Sequence, residues 1–386
     1  MIRDVKAITA SSYLSMFFLG VSASLVGAAA RNIGLLPYQI GLLIAAQQFG
    51  FVLSVLISGT LSDTYEKPRI LLVGSLVLGF SFLTFYQTAM FGINLFIMFL
   101  IGVGIGTYEG VADAMLLDTH SERQGLHINV NHFFVTFGSI VITLYLIFLQ
   151  MNWRHSVIQS GIVVLLLAVF FALTKLGNKH SRAGGYLKRF QALARERSLL
   201  VLFLATIFAV GVEVGSIGIL TTFLVELRGF SLVTSKVGLI VFLGGMASGR
   251  LFLGFFTHKG QLPQFILTLC GLSLLFFTGL YFWDVGRLTY VVVLLAGVSL
   301  SAILPLMITL SGSLYPEMAG TVIAVIKVAV GLGGIVLPFF MSLVAKSISF
   351  QASLLLFPLV LLLAFFMLFL EIRRTPSLET MGPGTR

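Results

Sequence analysis

The chain of 386 residues is 58% apolar and only 10% charged, whereas ordinary soluble domains are roughly 45–50% apolar and about 25% charged. This excludes a water-soluble globular enzyme, which would expose apolar surface it cannot cover, and it excludes disorder, which needs many charges and little hydrophobicity. The net charge of +10 therefore bears on membrane orientation rather than on nucleic acid, and Cys270, the single cysteine, leaves no disulfide or cysteine-based metal motif.

A spanning helix needs about 20 mostly apolar residues. Twelve such runs follow in chain order, at 8–30, 37–61, 69–90, 93–116, 127–150, 154–176, 198–225, 232–255, 263–283, 286–308, 319–346 and 349–371. The expected fold is an all-α membrane protein with twelve transmembrane helices in two six-helix halves. The first run is too long for a cleaved signal peptide and leads directly into the second. The one long polar stretch divides the chain nearly in half. This gives an N-terminal bundle over 1–178, a linker over 179–197 and a C-terminal bundle with a short tail over 198–386.

Lys175, Lys179, Arg182, Lys188, Arg189, Arg195 and Arg197 lie in or beside the linker. With Arg3, Lys6, Lys67, Arg69, Arg123, Lys259, Arg373, Arg374 and Arg386 they make 16 basic residues on one side. Six lie opposite: Arg31, Arg154, Arg228, Lys236, Arg287 and Lys346. The imbalance places both termini in the cytoplasm. Tyr186, Leu187, Phe190, Leu193 and Ala194 fall at helical spacing among the linker's basic residues. They fit a short amphipathic helix on the cytoplasmic leaflet, and a solvated linker with no preferred depth fits equally. No Asn-x-Ser/Thr sequon is present, which favours a bacterial inner membrane.

The halves repeat. Gly50, Gly59 and Asp63 end the second run with the spacing that Gly245, Gly254 and His258 show at the end of the eighth, an offset of 195 residues. Paired halves are a common arrangement of secondary transporters. The loop after the second run, Gly59-Thr60-Leu61-Ser62-Asp63-Thr64-Tyr65-Glu66-Lys67-Pro68-Arg69, resembles the signature of the major facilitator superfamily. Read physically it is a gate. Gly59 permits close helix approach, Asp63 can meet the positive N-terminus of a helix near Ala319–Thr321, and Lys67 and Arg69 can pair with acids while staying wet. Thr64 and Glu66 depart from the signature, and His258 replaces the aspartate in the second half.

Charges within the runs are costly and usually face the bundle interior or a wet cavity. They are Glu109 and Asp113 in the fourth run, Glu213 in the seventh, Arg250 in the eighth and Lys327 in the eleventh. Glu109 and Asp113 share a helical face. The fifth run adds Asn129, Asn131 and His132, and reflection about the turn near Ser121–Glu122 puts Glu109 within about a turn of His132 and Asp113 near Asn129. A carboxylate and an imidazole at shared depth make a proton relay; a structural network joining two helices is the alternative. Lys327 fits either an anionic solute or a structural pair with Glu213. Arg250 fits snorkelling to the cytoplasmic surface.

The same residues carry a closer resemblance. Gly104-Ile105-Gly106-Thr107-Tyr108-Glu109 with Asp113 is similar to the fourth helix of the fucose–proton symporter branch, and Asn129 to Gly138 is similar to the start of its fifth. Val210-Gly211-Val212-Glu213, Gly297 with Ser301 and Pro305, and Gly333-Gly334 with Pro338 also resemble branch patterns. The resemblance implies an alternating-access carrier moving a hexose with protons, with Glu109 the coupling carboxylate and Glu213 the seventh-helix acid. The apolar Val26-Gly27-Ala28-Ala29 replaces the branch's first-helix aspartate, Leu300 its tenth-helix asparagine, and Lys327 stands at an ordinarily uncharged place.

A sugar site needs several hydrogen-bond partners. Gln47, Gln48, Tyr108, Asn131 and Ser301 supply them, with His132 and Lys327 as charged candidates and Phe133 and Phe134 as stacking platforms. No ATP-binding loop or zinc motif is present, so no cofactor is expected. The expected partners are a small-molecule substrate, protons and the bilayer, with no nucleic acid and a monomeric state. Two other functions fit the composition: export of amphipathic or anionic compounds, and a receptor or scaffold that no longer transports.

Overall fold

A computed structural model describes residues 4–62, 65–120, 124–148, 152–176, 196–255, 262–284, 286–315 and 319–374. Among the described residues six helices precede the linker: α1 (Val5–Ile33), α2 (Pro37–Leu61), α3 (Lys67–Thr84), α4 (Phe91–Thr119), α5 (Gln124–Phe148) and α6 (Trp153–Leu173). After it come α7 (Arg197–Arg228), α8 (Leu232–Phe255), α9 (Leu262–Phe282), α10 (Thr289–Ser301), α11 (Ile303–Leu314), α12 (Ala319–Ser347), α13 (Phe350–Ser353) and α14 (Leu356–Arg374). Among the described residues, twelve stretches are long and apolar enough to cross a membrane. Tight contacts divide the chain into two units, Met1–Arg182 and Ala183–Arg386. The linker, including its candidate amphipathic helix, lies almost wholly outside the described residues.

Each unit is built on the same three helix pairings. In the first, α2 packs on α4, α1 on α5 and α3 on α6; in the second, α8 packs on α10, α7 on α12 and α9 on α14. The 195-residue repeat extends to individual contacts. A Cβ on Gly50 would collide with the carbonyl of Phe99, and one on Gly245 with that of Leu294. Likewise Gly102 abuts Gln47 O and Gly297 abuts Phe242 O. All four pairs of equivalent positions differ by 195. At the next turn the partners are exchanged: Gly106 faces Ser54 on α2, whereas Gly249 on α8 faces Ser301 on α10. One small residue on either helix suffices for close approach. The left-handed caps repeat too, with Gly34 (φ 84°) closing α1 and Gly229 (φ 69°) closing α7. Replacing Gly102 with Ala should force α2 and α4 apart and cost about 1–3 kcal/mol, the usual penalty for overpacking, read as an earlier thermal transition of purified protein. An unchanged transition would mean that this contact relaxes without cost.

Three helices depart from the expected runs. The third stops at Thr84 rather than residue 90 because the buried Asn94 organises the following turn. Its Oδ1 accepts from Tyr86 N at 2.7 Å, and its Nδ2 donates to Thr88 O at 2.8 Å and Met90 O at 3.0 Å. The tenth span breaks at Ala302 into α10 and α11. Pro305, three residues on, has no N–H to return to Ser301 O. The twelfth breaks at Leu354 and Leu355, four and three residues before Pro358. Lys236, read as a loop residue, lies inside α8 and is buried.

Candidate functional site

In the first unit α4 carries two faces. Gly102, Gly106 and Gly110, four residues apart, lie against Gln47, Phe51 and Ser58 of α2. Glu109 and Asp113 lie on the adjacent face, beside α5. That helix is held against α1 by Gly138, tight on Phe17 O, and by Ser139 Oγ donating to Gly20 O at 2.9 Å. This packing brings Asn131 and His132 to Asp113. Asn131 Nδ2 donates to Asp113 Oδ1 at 2.8 Å, and His132 Nε2 stands 3.1 Å from Asp113 Oδ2. Oxygens of Glu109 and Asp113 and a ring nitrogen of His132 all lie within 4.8 Å of one another. His132 thus lies within 4.8 Å of both acids, with Asp113 in direct contact at 3.1 Å.

The cluster has a closed and an open side. Asn131 is completely buried, whereas the His132 side chain is 42% exposed and that of Asp113 is 16% exposed. Phe133 and Phe137 follow on α5, both exposed and stacked at 6.0 Å. Toward the α4–α5 turn is a second polar group that sequence reasoning missed. His120 and His127 stack at 3.7 Å between ring centroids. Thr9 Oγ1 lies 2.7 Å from His120 Nε2, and Tyr13 Oη lies 2.7 Å from His127 Nδ1. Burial, and then the neighbouring His127, hold the His120 imidazole below the ordinary histidine range. The usable signal was their position, one on each side of the predicted turn.

Three of the other polar candidates are engaged within their own units. Gln47 is buried and donates to Ser22 O at 3.0 Å. Tyr108 is fully buried with its hydroxyl 2.7 Å from Ser75 Oγ. Ser301 Oγ returns to Val298 O at 2.7 Å. Gln48 is half-buried on α2, and the Asn129 side chain lies outside the description. Of the candidate gate residues, Asp63 lies outside the described residues and Gly59 is half-buried. Lys67 is buried and pairs with Asp118 Oδ2 at 2.6 Å, while Arg69 pairs with Glu66 at 2.9 Å. A cation at the N-terminus of α3 and an acid in the last turn of α4 each oppose their helix dipole, and pairing offsets both.

In the second unit Glu213 Oε1 accepts from Arg250 Nη2 at 2.8 Å, and Arg250 Nε also donates to Ser301 O at 3.3 Å. Ser301 O is the carbonyl that Pro305 leaves without its helical partner, so a proline on one helix supplies an acceptor for an arginine on another. The partner of Glu213 is therefore Arg250. Lys327 is exposed on α12.

The profile of the Major Facilitator Superfamily matches residues 7–336 of the chain. The chain belongs to that superfamily. It is an integral membrane transporter of the secondary kind rather than an enzyme. Among solved structures, it is similar to a bacterial homologue of the human lysosomal transporter Spinster, with a TM-score of 0.81 at 15% identity over 98% of this chain and 99% of that one. The nucleoside transporter NupG gives 0.78 at 11% identity, covering 96% and 99%. A D-xylose–proton symporter gives 0.74 at 13%, covering 95% and 97%. At these identities the likeness speaks to the fold. No curated protein matches the sequence.

Proposed function

We propose that this superfamily member is a proton-coupled symporter of a small polar solute, with a sugar as the expected class. The observation that carries the reading is the cluster on α4 and α5. Glu109 takes up and releases the coupling proton, Asp113 one turn away passes it toward the cytoplasmic end, and His132 orients or relays it. The stacked His120 and His127 extend the same line of titratable groups. The fucose-symporter resemblance supports hexose as cargo, and the D-xylose–proton symporter of the same fold is itself proton-driven by name. The setting is a bacterial inner membrane, with a monomeric carrier and cytoplasmic termini. Bundles over 1–178 and 198–386 flank the linker over 179–197, and the 59–69 loop, through Asp63, Lys67 and Arg69, is the cytoplasmic gate.

A second reading, export of amphipathic compounds, is favoured by one observation. Gln47, Tyr108 and Ser301 spend hydrogen-bonding capacity on their own units, whereas Phe133 and Phe137 are exposed beside His132. Proteoliposomes enclosing a pH-sensitive dye separate the two. Adding a transported sugar outside should acidify the lumen if solute and proton enter together. Lumenal alkalinisation on entry of an amphiphile, with no sugar response, would replace symport by exchange. Silence toward pentoses, hexoses, nucleosides and amphiphiles alike would remove both.

A further inference from the structure

We propose that Glu109, Asp113 and His132 form a binding site for a divalent transition-metal ion of the zinc or cobalt type. The site uses residues assigned above to proton movement but does not rest on that assignment. Three groups on two helices offer one ligand atom each, two carboxylate oxygens and one imidazole nitrogen, all within 4.8 Å of one another. Ligands about 2.0–2.2 Å from a tetrahedral or octahedral ion stand roughly 3–3.5 Å apart. His132 Nε2 and Asp113 Oδ2, at 3.1 Å, already have that separation. A side-chain adjustment of about an ångström brings Glu109 to the same distance, and the open side of His132 leaves room for water at the remaining positions. The imidazole selects zinc, cobalt or nickel over magnesium and calcium, which prefer oxygen ligands alone.

Asn131 is an independent observation pointing the same way. Its Nδ2 holds Asp113 Oδ1, which leaves Oδ2 turned to His132; a hydrogen bond of this kind fixes a ligating carboxylate. Its own Oδ1 is fully buried and has no hydrogen-bond partner among the described residues. A buried orphan carbonyl costs about 1–3 kcal/mol. Asn131 thus acts through Asp113, holding the carboxylate whose other oxygen faces His132.

The test is Co²⁺ titration of the purified, tag-free full chain at neutral pH, read by visible absorption and calorimetry, with Zn²⁺ as competitor. One saturable Co²⁺ per chain is expected, displaced by Zn²⁺ and untouched by Mg²⁺. His132→Gln and Asp113→Asn should each weaken it at least tenfold, and Asn131→Leu about tenfold, the scale of an outer-shell loss. His127→Gln should leave it unchanged. Because the His132 ring is part-exposed, His132→Gln carries the test if Asp113→Asn does not fold. Absence of saturable Co²⁺ binding overturns the proposal, as does binding by His132→Gln at the parent's affinity or binding lost in His127→Gln instead. No proton gradient enters this measurement, so its failure would leave symport standing, and failure of symport would leave the metal site standing.

Discussion

Glu109→Gln is expected to abolish uphill accumulation of solute driven by a pH gradient, bringing it to simple equilibration, while binding and counterflow exchange of the same solute persist. Glutamine keeps the shape of a protonated glutamate and cannot release the proton, so the variant is held in the loaded form. A purely structural Glu109 gives a different result. Interhelical hydrogen bonds in membrane proteins contribute about 0.6 kcal/mol on average, so losing one would lower stability slightly and leave coupling intact. The two outcomes are separated by measuring gradient-driven uptake, counterflow and thermal transition on one preparation. Normal gradient-driven uptake by Glu109→Gln would reject it as the coupling site. Asp113, which already contacts His132 at 3.1 Å, would then be the nearest acid in the cluster, with Glu213 the candidate of the other unit.

The spans were legible because the bilayer requires long apolar helices, and length with composition decides them. The repeat was legible at Gly50 and Gly245, and the structure extends it to Gly102 with Gln47 and Gly297 with Phe242. Those carbonyl contacts leave no composition signal, since any residue supplies a carbonyl. Helix breaks were harder to read. The end of α3 depends on one buried side chain, Asn94, bonding three backbone groups beyond the apolar run. At the cluster, helical spacing identified the shared face of Glu109 and Asp113. Reflection about the turn gave depth only to within a turn, because it takes both helices as straight and equally inclined, so it brought Glu109 near His132 without showing that Asp113 makes the direct contact. Gln47 and Tyr108 illustrate a further limit. Sequence shows that a polar group lies in a span but not that Ser22 O or Ser75 already occupies it. The Arg250–Ser301 contact was decipherable in principle, because Pro305 announces a carbonyl without a partner four residues earlier.

That same constellation predicts an unusual order of damage in the second unit. Removing one member of a buried ion pair costs about 3–5 kcal/mol because the other charge is left uncompensated. Arg250 is 34% exposed and Glu213 only 16%, so losses somewhat below that range are expected. Glu213→Leu should be the more harmful single change, since an arginine cannot shed its charge, whereas a glutamate left by Arg250→Met can take up a proton. Combining the two substitutions should recover most of the lost stability, as replacing an ion pair by apolar residues often does. Thermal unfolding of the three variants measures this order directly, and a double variant as unstable as Glu213→Leu alone would show that the pair does not act as a unit. Transport by the double variant then assigns the pair its role. Intact pH-driven accumulation makes Glu213 and Arg250 a strut between α7 and α8 and confines coupling to the α4–α5 cluster. Lost accumulation in a stable double variant would instead make Glu213 part of the proton path, since stability and coupling would have been separated in one protein.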